Sequence, residues 1–328
     1  MFYISSRGST ATGWIANILS SHPKIVCFSA SRSIPPLFPG DTYPKHEWIK
    51  EISPERYIQS LVLSEKSSFN QKIFGSIHGY HGILAKKECE KFGGFFGYVT
   101  RHPLERIHSC FIYDLFNLYY KKETKIKNSE ISLRVYNILK NENEFKSNSS
   151  SSFTFSKFLE GNKFKIGLYN FIKKEHPDLL EKYKNFQMLL KQKYINQISI
   201  KNEKEEKVFV MNHFKKLCED FFSKDRILFD NCRNGEQGMK MEELLSSVDY
   251  FKNKLLINII SEDLISKEYL DTFSKLKEKR MGIHRELPIK TEQIWTNMPK
   301  VLKKTFLNSY NKYNIEEISQ FFDYKMNI

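Results

Sequence analysis

Two stretches of this chain carry residues whose types and spacing suit anion binding. Ser6-Arg7-Gly8-Ser9-Thr10-Ala11-Thr12-Gly13 is made of small, hydroxylated and flexible residues with one arginine. Its backbone amides and the hydroxyls of Ser9, Thr10 and Thr12 can wrap a phosphate. A helix starting at its end adds free N–H groups and a favourable dipole. The loop lacks the GxxxxGK[ST] pattern of the ATPase form of the phosphate loop, and no lysine precedes Lys24. The second stretch is Arg101-His102-Pro103-Leu104-Glu105-Arg106-Ile107-His108-Ser109. If Arg101 ends a strand and Ser109 lies about two turns into the next helix, both can reach one phosphate. The arginine gives a bidentate, permanently charged contact and the serine a neutral donor. Arg106 either joins them or forms a structural ion pair. The plain alternatives are a Gly/Ser turn in the first stretch and a strand-capping arginine with a surface serine in the second. Taken together, two anion clamps point to a ligand with two separated phosphate groups.

The elements that must position these residues alternate between strand and helix. Phe2–Ser5 reads as a strand, and Trp14–Leu19 as a helix with Trp14, Ile15, Ile18 and Leu19 on its apolar face. Proline in Ser21-His22-Pro23 ends that helix, and Ile25–Phe28 forms the next strand. Residues 31–46, with four prolines, read as an irregular loop, and 54–66 as a helix. Lys72–His78 reads as a strand that delivers His78 at its C-terminal end. Gly93–Thr100 is a buried strand ending at Arg101, and Leu104–Leu118 a helix. This order predicts an α/β fold built on a doubly wound, mostly parallel sheet. Ligands of such sheets sit beyond the carboxyl ends of the strands, where Ser6–Gly13, His78 and Arg101 all fall.

Residues 121–152 are rich in Lys, Asn, Glu and Ser and read as exposed and partly mobile. Residues 153–225 read as mainly helical. We expect one domain over 1–328, with 116–250 a largely helical insertion or cap that shapes an acceptor site. Leu255–Ile260 is expected to be a further buried strand, followed by Ser261-Glu262-Asp263-Leu264, and the tail after Trp295 is expected to be helical to about Phe321-Phe322. There is no internal repeat.

The chain has 328 residues, of which 40% are hydrophobic and 14% aromatic, enough for a globular core. Its formal net charge of +14 favours anionic partners, although a Lys-rich solvated surface explains much of it. The five cysteines, Cys27, Cys89, Cys110, Cys218 and Cys232, show no metal-ligand spacing, so reduced thiols in a cytoplasmic setting are expected. No signal-peptide pattern and no apolar run long enough to span a bilayer is read, and neither is a metal site.

The two anion stretches also carry a resemblance. The chain resembles sulfotransferases that use 3′-phosphoadenosine 5′-phosphosulfate (PAPS). In that family a strand-loop-helix of the type R/K-S-G-T-T-W-L, closing in His-Pro, holds the 5′-phosphosulfate. Trp14-Ile15 through Ser20-Ser21-His22-Pro23 is similar to its helix. The family's second motif, R-x-P-x-x-R-x-x-S, holds the 3′-phosphate and matches Arg101, Pro103, Arg106 and Ser109. Many members carry a catalytic histidine at a strand end upstream of that arginine. His78 stands twenty-three residues before Arg101. Glu262-Asp263-Leu264 and the helical tail are similar to the family's late segments. The resemblance covers the first 115 residues well and the last 75 weakly, and leaves 116–250 unmatched.

The resemblance implies a P-loop-like sulfotransferase fold and transfer of a sulfuryl group from PAPS to a hydroxyl or amine, without a metal. It implies cofactor contacts from Arg7, Gly8, Ser9, Thr10, Ala11, Thr12, Gly13, Trp14, Arg101 and Ser109. Trp14 either stacks near the adenine or is a core aromatic. His78 is expected to act as general base, its ordinary pKa lying near neutrality, with His81 as rival. Arg7 is expected to stabilise the leaving phosphate. The loop departs from the family pattern here. Anchored on Trp14, it puts Ser9 where the family has its basic residue; anchored on Arg7, it is two residues longer. Either Arg7 reaches in from the longer loop or another cation takes that role. Lys279-Arg280-Met281-Gly282 is a candidate late basic loop, or a charged helix end.

Other readings are a small-molecule kinase, which needs a loop lysine and a Mg²⁺ carboxylate, and a non-catalytic nucleotide- or nucleic-acid-binding protein. No nucleic-acid module pattern is present. The acceptor, a small molecule or carbohydrate, and the oligomeric state are not readable from the sequence.

Overall fold

The structure, a computed structural model, describes residues 1–6, 11–28, 54–66, 71–77, 82–118, 128–142, 177, 203–232, 237–278 and 291–326. These fall into two compact units. One takes the described residues within Met1–Thr100, Thr154–Tyr194 and Asn231–Arg280. The other takes those within Arg101–Phe153, Ile195–Asp230 and Met281–Ile328.

The first unit is built on five parallel strands: β1 (Phe2–Ser6), β2 (Ile25–Phe28), β3 (Ile73–Ile77), β4 (Phe95–Thr100) and β5 (Gly238–Lys240). Their order in the sheet is β2-β3-β1-β4-β5, every neighbouring pair parallel. All residues of β1 and β2 are buried, the sign of a sheet covered on both faces. On one face Phe2, Ile4, Cys27, Ile77 and Val99 join Ile15, Ile18 and Leu19 of α1 (Thr12–Ser21) in a single core. On the other, Tyr3 stacks on Phe96 with ring centroids 6.2 Å apart. Helices α2 (Pro54–Lys66) and α3 (Gly82–Lys91) pack on the sheet through buried residues that include Ile58, Leu61, Ala85 and Cys89. The architecture is therefore α/β, consistent with a doubly wound fold.

Gly75 pairs with Phe2 across β3 and β1. A Cβ added there would meet the Phe2 ring at 2.4 Å, so close packing of the ring on the sheet requires glycine.

The chain leaves β1 toward β2 on one side and leaves β4 toward β5 on the other. That reversal lies between the paired strands β1 and β4, where Ser6 sits opposite Val99. In open parallel sheets, the crevice beyond strand ends at such a switch is where ligands bind.

Residues 255–260 are not a strand. They follow two short helices, α7 (Met241–Ser246) and α8 (Val248–Lys254), as a 3₁₀ turn over Leu256–Asn258. Leu255, Leu256 and Ile260 are buried, whereas Ile257 and Asn258 are exposed. That pattern does not alternate, and a short apolar run cannot be assigned by periodicity alone. The fifth strand is instead Gly238–Lys240, inside the 116–250 stretch. Helix α9 (Lys267–Glu278) adds Tyr269 and Phe273 to the core of this unit.

The second unit is helical in its described residues. It holds α4 (Pro103–Leu118), α5 (Asn128–Leu139), α6 (Glu203–Cys232) up to Asp230, α10 (Thr291–Asn297), α11 (Lys300–Lys312) and α12 (Ile315–Phe321). The expectation of an exposed, mobile 121–152 is corrected for its middle. Ile131, Val135 and Leu139 recur every four residues and are buried along α5. Edge-to-face aromatic pairs tie the other helices, Phe111 to Phe214 at 4.9 Å and Phe222 to Phe306 at 5.4 Å. The tail is helical, as expected.

All five cysteines are free and buried. Burial raises the thiols of Cys27, Cys89, Cys218 and Cys232, that of Cys89 to about 12, so these four are held protonated.

Candidate functional site

The N-terminus of α1 presents backbone N–H groups of the kind that suit an anion. Helix geometry leaves its first amides without an intrahelical acceptor. The first main-chain bond runs from the Ile15 N–H to the Ala11 carbonyl, at 3.0 Å. No side chain of the N-cap residue closes the end, and its first turn carries no acidic residue to compete with an anion. The N-cap is Ala11, at φ 53° and ψ 27°. A non-glycine residue in this left-handed region costs on the order of 1 kcal/mol. Such strain is a feature of ligand-gripping loops. Thr12 and Gly13 form the first turn, with Thr12 buried. Trp14 is half-buried and packs edge-on against Phe273, centroids 5.4 Å apart.

His22 closes the same helix. Its Nδ1 accepts from the Lys24 N–H at 3.2 Å, which leaves Nε2–H to donate to the Leu264 carbonyl at 3.1 Å. Its ring packs edge-on against Tyr269 at 4.9 Å. The Glu262-Asp263-Leu264 segment is therefore pinned to the end of α1, although as a 3₁₀ turn rather than the sequel of a strand.

In the helical unit, the chain leaving β4 passes through Arg101 and His102 into α4. Pro103 opens that helix, where its missing N–H costs nothing and its fixed φ is helical. The His102 carbonyl accepts from the Arg106 N–H at 2.9 Å. Residues four apart share one helix face. Glu105, Ser109 and Tyr113 form such a row on α4, and Arg101 stands four residues before Glu105, just ahead of the helix; all four are half-buried, whereas every other residue from His102 to Leu115 is buried. The arginine and the serine of the second anion motif are thus both half-buried rather than closed in the core. Arg101 Nη2 donates to Glu105 Oε2 at 3.4 Å, and Thr291 Oγ1 donates to Glu105 Oε1 at 2.8 Å.

Arg106 takes the structural one of its two expected roles. It is fully buried, pairs with Asp225 of α6, and its guanidinium lies 5.2 Å from the Phe221 ring centre. His108 is buried on the same helix, and burial, followed by the Arg101 charge, holds its pKa at about 4. His102 Nε2 donates to the Lys325 carbonyl at 3.2 Å.

Of the expected site residues, Ala11, Thr12 and Gly13 gather at the end of α1, Ser109 lies on α4, and Arg101 lies just before its start. Arg7, Gly8, Ser9, Thr10, His78, the rival His81 and the late basic loop 279–282 lie outside the described residues. Glu105, Asp225 and Thr291 were missed. The Arg101–Glu105 spacing of four is a readable ion-pair signal. Nothing in the sequence marks Asp225 or Thr291 as partners of α4.

Comparison with family models, curated proteins and solved structures returned no match. Among the described residues, no helix is long and apolar enough to cross a membrane, and no group of three or more His, Cys, Asp or Glu could hold a metal ion.

Proposed function

We propose that this chain is a PAPS-dependent sulfotransferase on a P-loop-like α/β fold. The observation that carries the reading is that Arg101, Glu105 and Ser109 stay half-buried in the segment that follows β4, a parallel strand at the switch of the sheet. It supports the reading of R-x-P-x-x-R-x-x-S as a phosphate-binding motif. The N-terminus of α1, strained at Ala11 and free of acidic residues in its first turn, supports a second anion contact. Two anion motifs in one chain support a ligand bearing two phosphate groups.

In this reading Arg101 and Ser109 bind the 3′-phosphate, while Gly8 to Gly13 and the α1 amides hold the 5′ end. PAPS supplies the transferable sulfuryl group. His78 accepts the proton of the acceptor hydroxyl or amine as that atom attacks sulfur. Arg7 and the helix N-terminus stabilise negative charge on the departing phosphate oxygen. The acceptor is a small molecule or a carbohydrate. The five free thiols support a reducing, cytoplasm-like compartment.

The test is thermal stabilisation by adenosine 3′,5′-bisphosphate, with ADP and AMP as controls. A ligand at a hundredfold over its dissociation constant adds about 2.7 kcal/mol, a melting shift of a few degrees. Stabilisation by the bisphosphate alone is the expected result. No shift, or an equal shift with ADP, overturns the reading.

A further inference from the structure

We infer that Glu105, clamped by Thr291, is a positioning residue that aims the Arg101 guanidinium. The inference rests on the sulfotransferase reading only for the identity of the anion that Arg101 meets. The carboxylate is engaged at both oxygens: Oε2 accepts from Arg101 Nη2 at 3.4 Å, and Oε1 accepts from the Thr291 hydroxyl at 2.8 Å. Thr291 opens α10, which contacts α4, and all three residues belong to the helical unit. The Arg101 and Glu105 side chains are only 11% and 22% exposed, so the pair is shielded from much of the solvent screening that weakens surface pairs.

An arginine side chain is entropically costly to hold in one rotamer, and a planar guanidinium recognises an anion only in a defined orientation. A carboxylate four residues on, in the first turn of α4, limits its rotamers but could swing itself. The Thr291 hydroxyl removes that freedom by holding the other oxygen. The two bonds therefore form a relay from the start of α10 to the phosphate-binding arm. The negative charge of Glu105 opposes an incoming anion, so orientation and charge act in opposite directions. This separates the two contributions. Glu105→Gln keeps an acceptor for Arg101 and removes the charge, whereas Glu105→Ala removes both.

The experiment uses the full chain with two readouts. The first is the order of the Arg101 guanidinium, followed by ¹⁵N NMR without ligand. The second is calorimetric affinity for adenosine 3′,5′-bisphosphate, with AMP as the control lacking the 3′-phosphate. Melting temperatures verify folding of each variant. Thr291→Val is expected to loosen Arg101 and weaken bisphosphate binding about fivefold, the worth of one net hydrogen bond, with AMP unaffected. Thr291→Ser is expected to restore both readouts. Glu105→Ala weakens the bisphosphate, and Glu105→Gln binds it at least as well as the wild type. Unchanged Arg101 order in Thr291→Val and Glu105→Ala overturns the inference, as does failure of Thr291→Ser to restore it. If the wild type binds no bisphosphate while the NMR pattern holds, the relay stands and the sulfotransferase reading falls.

Discussion

Arg106 and Asp225 lie 119 residues apart in the chain and meet as an ion pair inside the helical unit. The arginine, the second one of the motif around Arg101, is buried under the Phe221 ring. Removing one partner of such a pair leaves an uncompensated charge in a poor solvent. Arg106→Met should therefore destabilise the protein by about 3 kcal/mol. Arg106→Met with Asp225→Leu should recover much of that loss, because two apolar side chains carry no desolvation penalty. Urea unfolding of the single and double variants checks this. A double variant less stable than the single one would show that the pair is more than a mutual charge balance.

Arg101, in contrast to Arg106, is half-buried, just before the start of α4. Arg101→Ala should weaken binding of adenosine 3′,5′-bisphosphate by about a hundredfold, the scale of a lost charge-assisted contact. The melting temperature should change little. His78→Ala should bind the bisphosphate normally and lose sulfuryl transfer by at least about a hundredfold. Isothermal titration and turnover with PAPS separate the two roles. Wild-type turnover in His78→Ala would remove the histidine from the mechanism.

His108 gives the helical unit a pH dependence. Its folded-state pKa of about 4 lies below the ordinary 6.5, so the folded chain holds it neutral. Between about pH 6.5 and pH 4 the unfolded chain takes up a proton that the folded chain refuses. Stability is full above that window, falls as the pH drops through it, and levels off below. The loss approaches about 3 kcal/mol at its limit. His108→Phe should flatten this part of the curve. Urea midpoints at pH 7 and pH 4.5 for both proteins measure it, and parallel wild-type and variant profiles would show that His108 is not the group responsible.

Gly75→Ala should destabilise the sheet by about 1–3 kcal/mol, since the new methyl group overlaps the Phe2 ring. Adding Phe2→Leu should return part of the loss by opening space across the β1–β3 pair. The readout is the urea midpoint. An unchanged midpoint in Gly75→Ala would mean that the ring moves aside at no cost.

The sequence by itself determined the elements whose signals are local. Ile25–Phe28 is a fully buried run placed just after His22-Pro23, and the structure has β2 over those same residues. Helices 54–66 and 104–118 were readable from punctuation and periodicity, and the shared face of Glu105 and Ser109 follows from a spacing of four on a helix. Strand–helix alternation was enough to announce a parallel sheet. Only the tertiary structure decided what depends on distant partners. Gly238–Lys240 is three residues long with one buried side chain, and becomes a strand because β4 offers it a free edge. Leu255–Ile260 has the apolar content of a strand but finds no edge, and folds as a turn that fills the core beneath α1. Arg106 could have faced a ligand or an acid until Asp225 settled it, and Glu105 meets Thr291 across 186 residues. Local pattern encodes which backbone conformation is cheap. Which side chains meet is set by how the elements pack, and no neighbour in sequence records it.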